Sequence, residues 1–138
     1  MNYKLIKTQT LQEEEIFMKY HPSEGILEGI ATGYMYEDVF QERGEALLRI
    51  AEERGVKRML LSCEVLNVLK PSNQLYLRDH WFPALYRLGV KKVAIVEPID
   101  MLSNCSLKQA VDLMGAMNTK EFYQYFSARD QAIAWLKA

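Results

Sequence analysis

The sequence predicts an α/β fold: a mixed, mostly parallel sheet with flanking helices. Three observations carry this prediction. The first thirty or so residues read as short strands reversed by a turn. From Tyr34 onward, amphipathic helical stretches alternate with short apolar strands. One phrase, Gly-Val-basic-basic followed by mostly apolar residues, occurs twice, each time after a helical stretch.

Taken in order, Tyr3–Thr8 and Glu15–Tyr20 read as strands separated by the acidic run Glu13-Glu14-Glu15. His21-Pro22-Ser23-Glu24-Gly25 is a turn by chemistry, because Pro presets φ and Gly accepts a positive one. Ile26–Ala31 then pairs back as a hairpin. Over Tyr36–Arg54, Val39, Phe40, Ala46, Leu47, Ile50 and Ala51 form one helical stripe. Glu37 and Asp38 sit where carboxylates oppose the positive helix end, and Gly55 is placed as a C′ glycine. Val56–Ser62 is an apolar strand entered through Lys57-Arg58, and Gly89–Val96 echoes it through Lys91-Lys92. Continuous apolar strands after helices suit a parallel sheet covered on both faces.

Ser72–Leu88 is helical in pattern but contains Pro83, so a kink or break is expected near Asp79–Phe82. A further helix is expected from Ser106 to Met117, a strand over Phe122–Phe126, and a last helix capped by Ser127 and running to Lys137. Asp130, three residues after Ser127, completes the outline of a capping box. No low-complexity linker divides the 138 residues, which read as a single domain, 1–138. The order is a β-hairpin followed by αβαβαβα.

Composition narrows the function. Seventeen Lys and Arg balance eighteen Asp and Glu, which argues against a nucleic-acid or anionic-membrane binder. The charge is polarised, however: residues 1–55 carry −5 and residues 56–138 carry +4. The longest apolar runs are too short to span a bilayer, so no membrane insertion is expected. The first ten residues lack the apolar stretch of a secretory signal. Two cysteines and two histidines, widely spaced, fit a reducing cytoplasm and give no metal-binding pattern. No phosphate-loop or dinucleotide glycine motif is present, and no cofactor is expected.

Several phrases resemble the STAS-like domains of anti-sigma-factor antagonists. They are Gly25-Ile26-Leu27, Thr32-Gly33-Tyr34, Leu88-Gly89-Val90-Lys91-Lys92-Val93-Ala94-Ile95-Val96, and the ending from Phe126 to Leu136. The chain is especially similar to the small stand-alone bacterial proteins of that group. The resemblance covers nearly the whole chain and implies a STAS-like fold and a regulatory, protein-binding role. It also implies a phosphorylatable Asp-Ser pair opening the second helix. Here Lys70-Pro71 stands in that place with Ser72 one position later, so Ser72 reads as an N-cap and the phosphoserine switch as absent.

Candidate site residues gather at predicted strand ends. Ser62, Cys63 and Glu64 close one central strand and Glu97 closes the next, where open α/β sheets bind ligands. A nucleophilic Cys63 needs His21 or His80 as base, whereas a buried free cysteine behaves as a small apolar residue, the commoner case. Glu64 and Glu97 can be read as an acid–base pair or as solvated strand ends. Trp81, on the kinked helix, forms either a pocket wall facing Tyr34 or Tyr36, or sheet packing. Tyr123 and Tyr125 alternate against Phe122, Gln124 and Phe126, and mark a self-association surface for a homodimer. The leading reading is a non-enzymatic regulatory module with a protein partner. A binder of a small apolar or amphipathic molecule comes second, and an enzyme using Cys63 or Glu64/Glu97 third.

Overall fold

The computed structural model describes residues 4–7, 16–112 and 119–138. Among the described residues six strands, β1 (Lys4–Lys7), β2 (Ile16–His21), β3 (Ile26–Ile30), β4 (Arg58–Ser62), β5 (Lys92–Val96) and β6 (Tyr123–Phe126), lie side by side in chain order. The first three form an antiparallel meander, and β3 to β6 run parallel. This is the expected mixed sheet, with its hairpin opening. The outer limits expected for the first two strands, and the acidic run between them, lie outside the described residues. The register slips at Phe17, a β-bulge that lets the neighbours Phe17 and Met18 both enter the core.

Among the described residues the α-helices are α1 (Glu37–Glu53), α2 (Pro71–Tyr76), α3 (Phe82–Leu88), α4 (Met101–Val111) and α5 (Arg129–Lys137). Side-chain alternation divides the sheet into two packed faces. Leu27, Met59, Val93 and Ile95 enter the larger core beneath α1 to α4, with Leu47, Phe82, Leu85 and Leu107. Ile26, Leu60, Ala94 and Val96 face α5, against Ala132 and Leu136. Lys92 holds the far end of α5, donating from Nζ to the Trp135 and Ala138 carbonyls at 3.0 and 3.1 Å.

The repeated phrase is a structural repeat. Both helices before it end in the same glycine turn, with Gly55 at φ 60° and Gly89 at φ 95°. Val56 donates back to Ala51 and Val90 back to Leu85, satisfying carbonyls the helix leaves open. The two strands then pair in register, Arg58 to Lys92 and Met59 to Val93.

The irregularity expected near Asp79–Phe82, a kink or break, is a π turn over Leu77–Trp81, in which the Phe82 amide bonds five residues back to Leu77; three other local expectations are corrected. The wider turn accommodates a ring that has no amide hydrogen to give. Ser72 is not the N-cap of α2: Lys70 is, with Pro71 as first residue, where a missing N–H costs nothing. The helix expected from Ser106 begins at Met101, because Asp100 accepts the Ser103 amide at 2.9 Å. Its expected end at Met117 falls outside the described residues. Ala128, not Ser127, precedes α5.

Candidate functional site

The loops after β3, β4 and β5 form one rim at the carboxyl ends of the parallel strands. Gly33 donates to the Val65 carbonyl at 2.8 Å and accepts from Asn67 at 2.9 Å, while Ile99 donates to the Glu64 carbonyl at 3.0 Å. These bonds set the three loops side by side. They and the first turn of α4 carry Tyr34, Tyr36, Val65, Val68, Ile99, Met101 and Leu102, all exposed, with Ile99 at 82% and Met101 at 77%. Solvated loops are usually polar, so clustered apolar side chains here are a distinct signal. Tyr34 and Tyr36 pack edge to face at 5.8 Å, and Lys70 lies over the Tyr36 ring.

The sequence-predicted residues divide between the two faces of the sheet. Cys63 and Trp81 come together on the α1 side, lining an apolar cavity of about 70 Å3 with Met35, Leu47, Leu61 and Leu66. Trp81 donates from its indole nitrogen to the Gly44 carbonyl at 2.9 Å. Tyr34 and Tyr36 are not among the residues lining the cavity. Burial, reinforced by the negative charge of Glu64, pushes the Cys63 thiol up to about 12. Neither histidine is placed to lower it, since His21 lies 3.0 Å from Glu28 and His80 lies 2.9 Å from Glu45. Glu97 is held by Lys108 at 2.7 Å and receives a hydrogen bond from Asn104. Those donors keep its carboxyl below the usual range, the Lys108 bond foremost. Ser72 sits half-buried in the first turn of α2.

Ser62, one residue before Cys63, points to the α5 face and joins a polar cluster that sequence reasoning did not find. At its centre is Glu28 on β3, 2% exposed. Arg129, the first residue of α5, grips it with two nitrogens at 2.5 and 2.7 Å. Ser62 Oγ donates to the same carboxylate at 2.8 Å, and His21 closes the cluster. Burial alone would raise the Glu28 pKa, but the hydrogen bonds from Arg129, His21 and Ser62 together bring it down to about 2. Serine and histidine both address the carboxylate and not each other, so the trio is not a nucleophile-activating relay. One signal was available: Glu28 is a lone acid in the apolar strand Ile26-Leu27-Glu28-Gly29-Ile30, and such a charge requires a partner.

Tyr123 and Tyr125 share the α4 side of the edge strand β6, edge to face at 5.7 Å. Both hydroxyls donate to Asp112, at 3.2 and 2.9 Å. Burial and that carboxylate push Tyr123 up to about 12 and Tyr125 above the usual phenol range.

An antiparallel meander leads into four parallel strands, with one helix closing the second face, which is a mixed, mostly parallel α/β architecture. No protein-family model matches the sequence, and no curated protein matches it significantly. Among solved structures, the chain is similar to an uncharacterized protein of the DUF3478 family with a SpoIIAA-like fold from Shewanella loihica PV-4. The identity is 15% over 98% of this chain and 93% of that one, with a TM-score of 0.45. Among the described residues, no helix is long and apolar enough to cross a membrane.

Proposed function

We propose that this chain is a non-enzymatic regulatory module that binds a partner protein through the apolar rim at the carboxyl ends of β3, β4 and β5. The observation that carries the reading is the exposed apolar cluster on three hydrogen-bonded loops and the first turn of α4, from Tyr34 to Leu102. A hydrophobic centre ringed by polar groups is how protein interfaces are built. The charged neighbours are mainly acidic, Glu37, Asp38, Glu64 and Asp100 against Lys70, which favours a partner with a basic margin over an anionic bilayer. The candidate reactive groups are committed elsewhere: Cys63 is buried, Glu97 is paired with Lys108, and Ser62 is bonded to Glu28. Its two free cysteines suit a reducing, cytoplasmic setting.

A photo-crosslinking residue placed at Ile99 or Leu102 tests this in the host cell, with exposed Arg87 on α3 as the control position. A defined adduct from the rim positions and none from Arg87 supports the proposal, provided the Ile99→Asp/Leu102→Asp variant loses it. Equal labelling from Arg87, or no adduct, removes it. Folding is not at issue, because substitutions at such exposed side chains change stability by about 0.5 kcal/mol or less.

A second reading, a small apolar ligand, is favoured by the cavity beside Cys63. An apolar cavity of about 150 Å3 takes up benzene, so about 70 Å3 suits a ligand of only a few heavy atoms. Pockets for drug-sized ligands start at about 300 Å3. Native mass spectrometry of protein purified from its host separates the two readings, by a retained small molecule or a retained protein.

A further inference from the structure

At the rim beyond β3, β4 and β5 the loop backbones bond to one another. Gly33 donates to the Val65 carbonyl and accepts from Asn67, Cys63 donates to Val96, and Ile99 donates to Glu64. β3, β4 and β5 are interior strands, and among the described residues the sheet ends at β1 and β6. A partner strand therefore finds no open ladder to extend at the rim. Whatever covers it is recognised by side chains.

Those side chains say what shape fits. Tyr34 follows Gly33, Val65 is bonded to Gly33, and Ile99 is bonded to Glu64, the neighbour of Val65. One exposed apolar side chain thus stands on each of three backbones held side by side. Paired backbones lie about 4.8 Å apart, so the outer two of the three are separated by about 10 Å. On an α-helix, residues i and i+7 lie about 10.5 Å apart along one face, with i+3 or i+4 between them. A helix laid across the strand ends therefore brings one apolar side chain to each loop. The margin of this seat is acidic. Glu37 and Asp38 open α1, Glu64 stands between Cys63 and Val65, and Asp100 caps α4. Among the described residues none of these four forms an ion pair, which leaves their charge open to a partner.

Resting on the rim as the partner-binding surface, we propose that its occupant is an amphipathic α-helix of the partner, lying across the ends of β3, β4 and β5. The helix carries apolar residues at i, i+3 or i+4, and i+7, flanked by lysines or arginines. Helices are recognised through side chains at these intervals. The opposed charges steer the helix to its seat and fix which face it presents.

A labelled synthetic peptide of about 18 residues, long enough to be helical alone, tests this by fluorescence anisotropy with the full chain. Its leucines stand at i, i+4 and i+7, and alanine and lysine fill the other positions. The expected result is saturable binding with a Kd of about 10 to 100 µM. Scattering the same leucines around the helix, or replacing every lysine by glutamate, weakens binding about tenfold or more. Ile99→Asp/Leu102→Asp and, on the middle loop, Val65→Asp each weaken it by a similar factor. Glu64→Lys weakens binding of the lysine peptide and strengthens that of the glutamate peptide, an exchange that a misfolded variant cannot show. No saturable binding, equal binding of the three peptides, or binding untouched by Val65→Asp overturns the proposal. A cellular adduct at Ile99 without peptide binding overturns the helix and leaves the rim as a partner surface, whereas an absent adduct removes both.

Discussion

Removing Arg129 isolates the polar cluster beneath α5. In Arg129→Met, the apolar stem is kept and the guanidinium is lost, leaving the Glu28 carboxylate buried with only Ser62 and His21 as partners. The Glu28 carboxyl titrates near 2 in the folded chain against 4.5 when unperturbed. At 1.36 kcal/mol per unit, its ionised form contributes about 3 kcal/mol at neutral pH, shared among its three partners. Arg129 supplies two of the bonds, but its side chain is 41% exposed and solvent screens the pair. A loss of about 2 kcal/mol at pH 7 follows, below the 3–5 kcal/mol of a fully buried pair broken on one side. The sign with pH is fixed by the lowered pKa. The stabilisation is complete above about 4.5 and fades as pH falls through about 2. By linkage, the Glu28 contribution drops to about 1 kcal/mol at pH 3, so wild type and variant converge there. Urea unfolding of both proteins at pH 7 and pH 3 measures this. A difference under about 0.5 kcal/mol at pH 7, or one as large at pH 3 as at pH 7, refutes the reasoning, because a pure packing loss does not depend on pH.

Two further outcomes are expected. A disulfide-exchange reagent at pH 8 titrates one thiol per native chain, Cys105, and two after denaturation, since Cys63 is buried with its thiol pushed up to about 12. Two rapidly reacting native thiols would show that the Cys63 cavity opens readily. Gly44→Ala destabilises the chain by about 1 kcal/mol despite the better helix propensity of alanine. Its Cβ would stand 2.7 Å from Tyr76 Oη and 3.2 Å from Trp81 Cδ1. Urea midpoints measure this, and a raised midpoint contradicts it.

The order of strands and helices was legible because its signals are local. Period-2 and period-3.6 apolar patterns, the Pro-Gly turn and the two terminal glycines each act within a few residues. The errors were local as well, at the starts of α2, α4 and α5. Asp100 competes with Ser106 as a helix start and prevails because the Ser103 amide reaches its carboxylate. Pro83 announced an irregularity but not its form, since a kink, a break and a π turn all relieve the same clash.

The candidate site was legible only in part. Placing Ser62, Cys63, Glu64 and Glu97 near strand ends needed nothing beyond local pattern. That Ser62 and Cys63 serve opposite faces follows from alternation, but what each face holds does not. By itself the sequence determined an α/β chain with a hairpin, a repeated helix–strand unit and an aromatic strand before the last helix. Only the tertiary structure decided that Glu28 meets Arg129 across 101 residues of chain, and that Cys63 meets Trp81 beside a cavity. It also decided that three loops gather their apolar side chains on one rim. The physical reason is separation: local patterns fix an element and its buried face, while distant partners are chosen by strand register and helix docking, which no local spacing encodes.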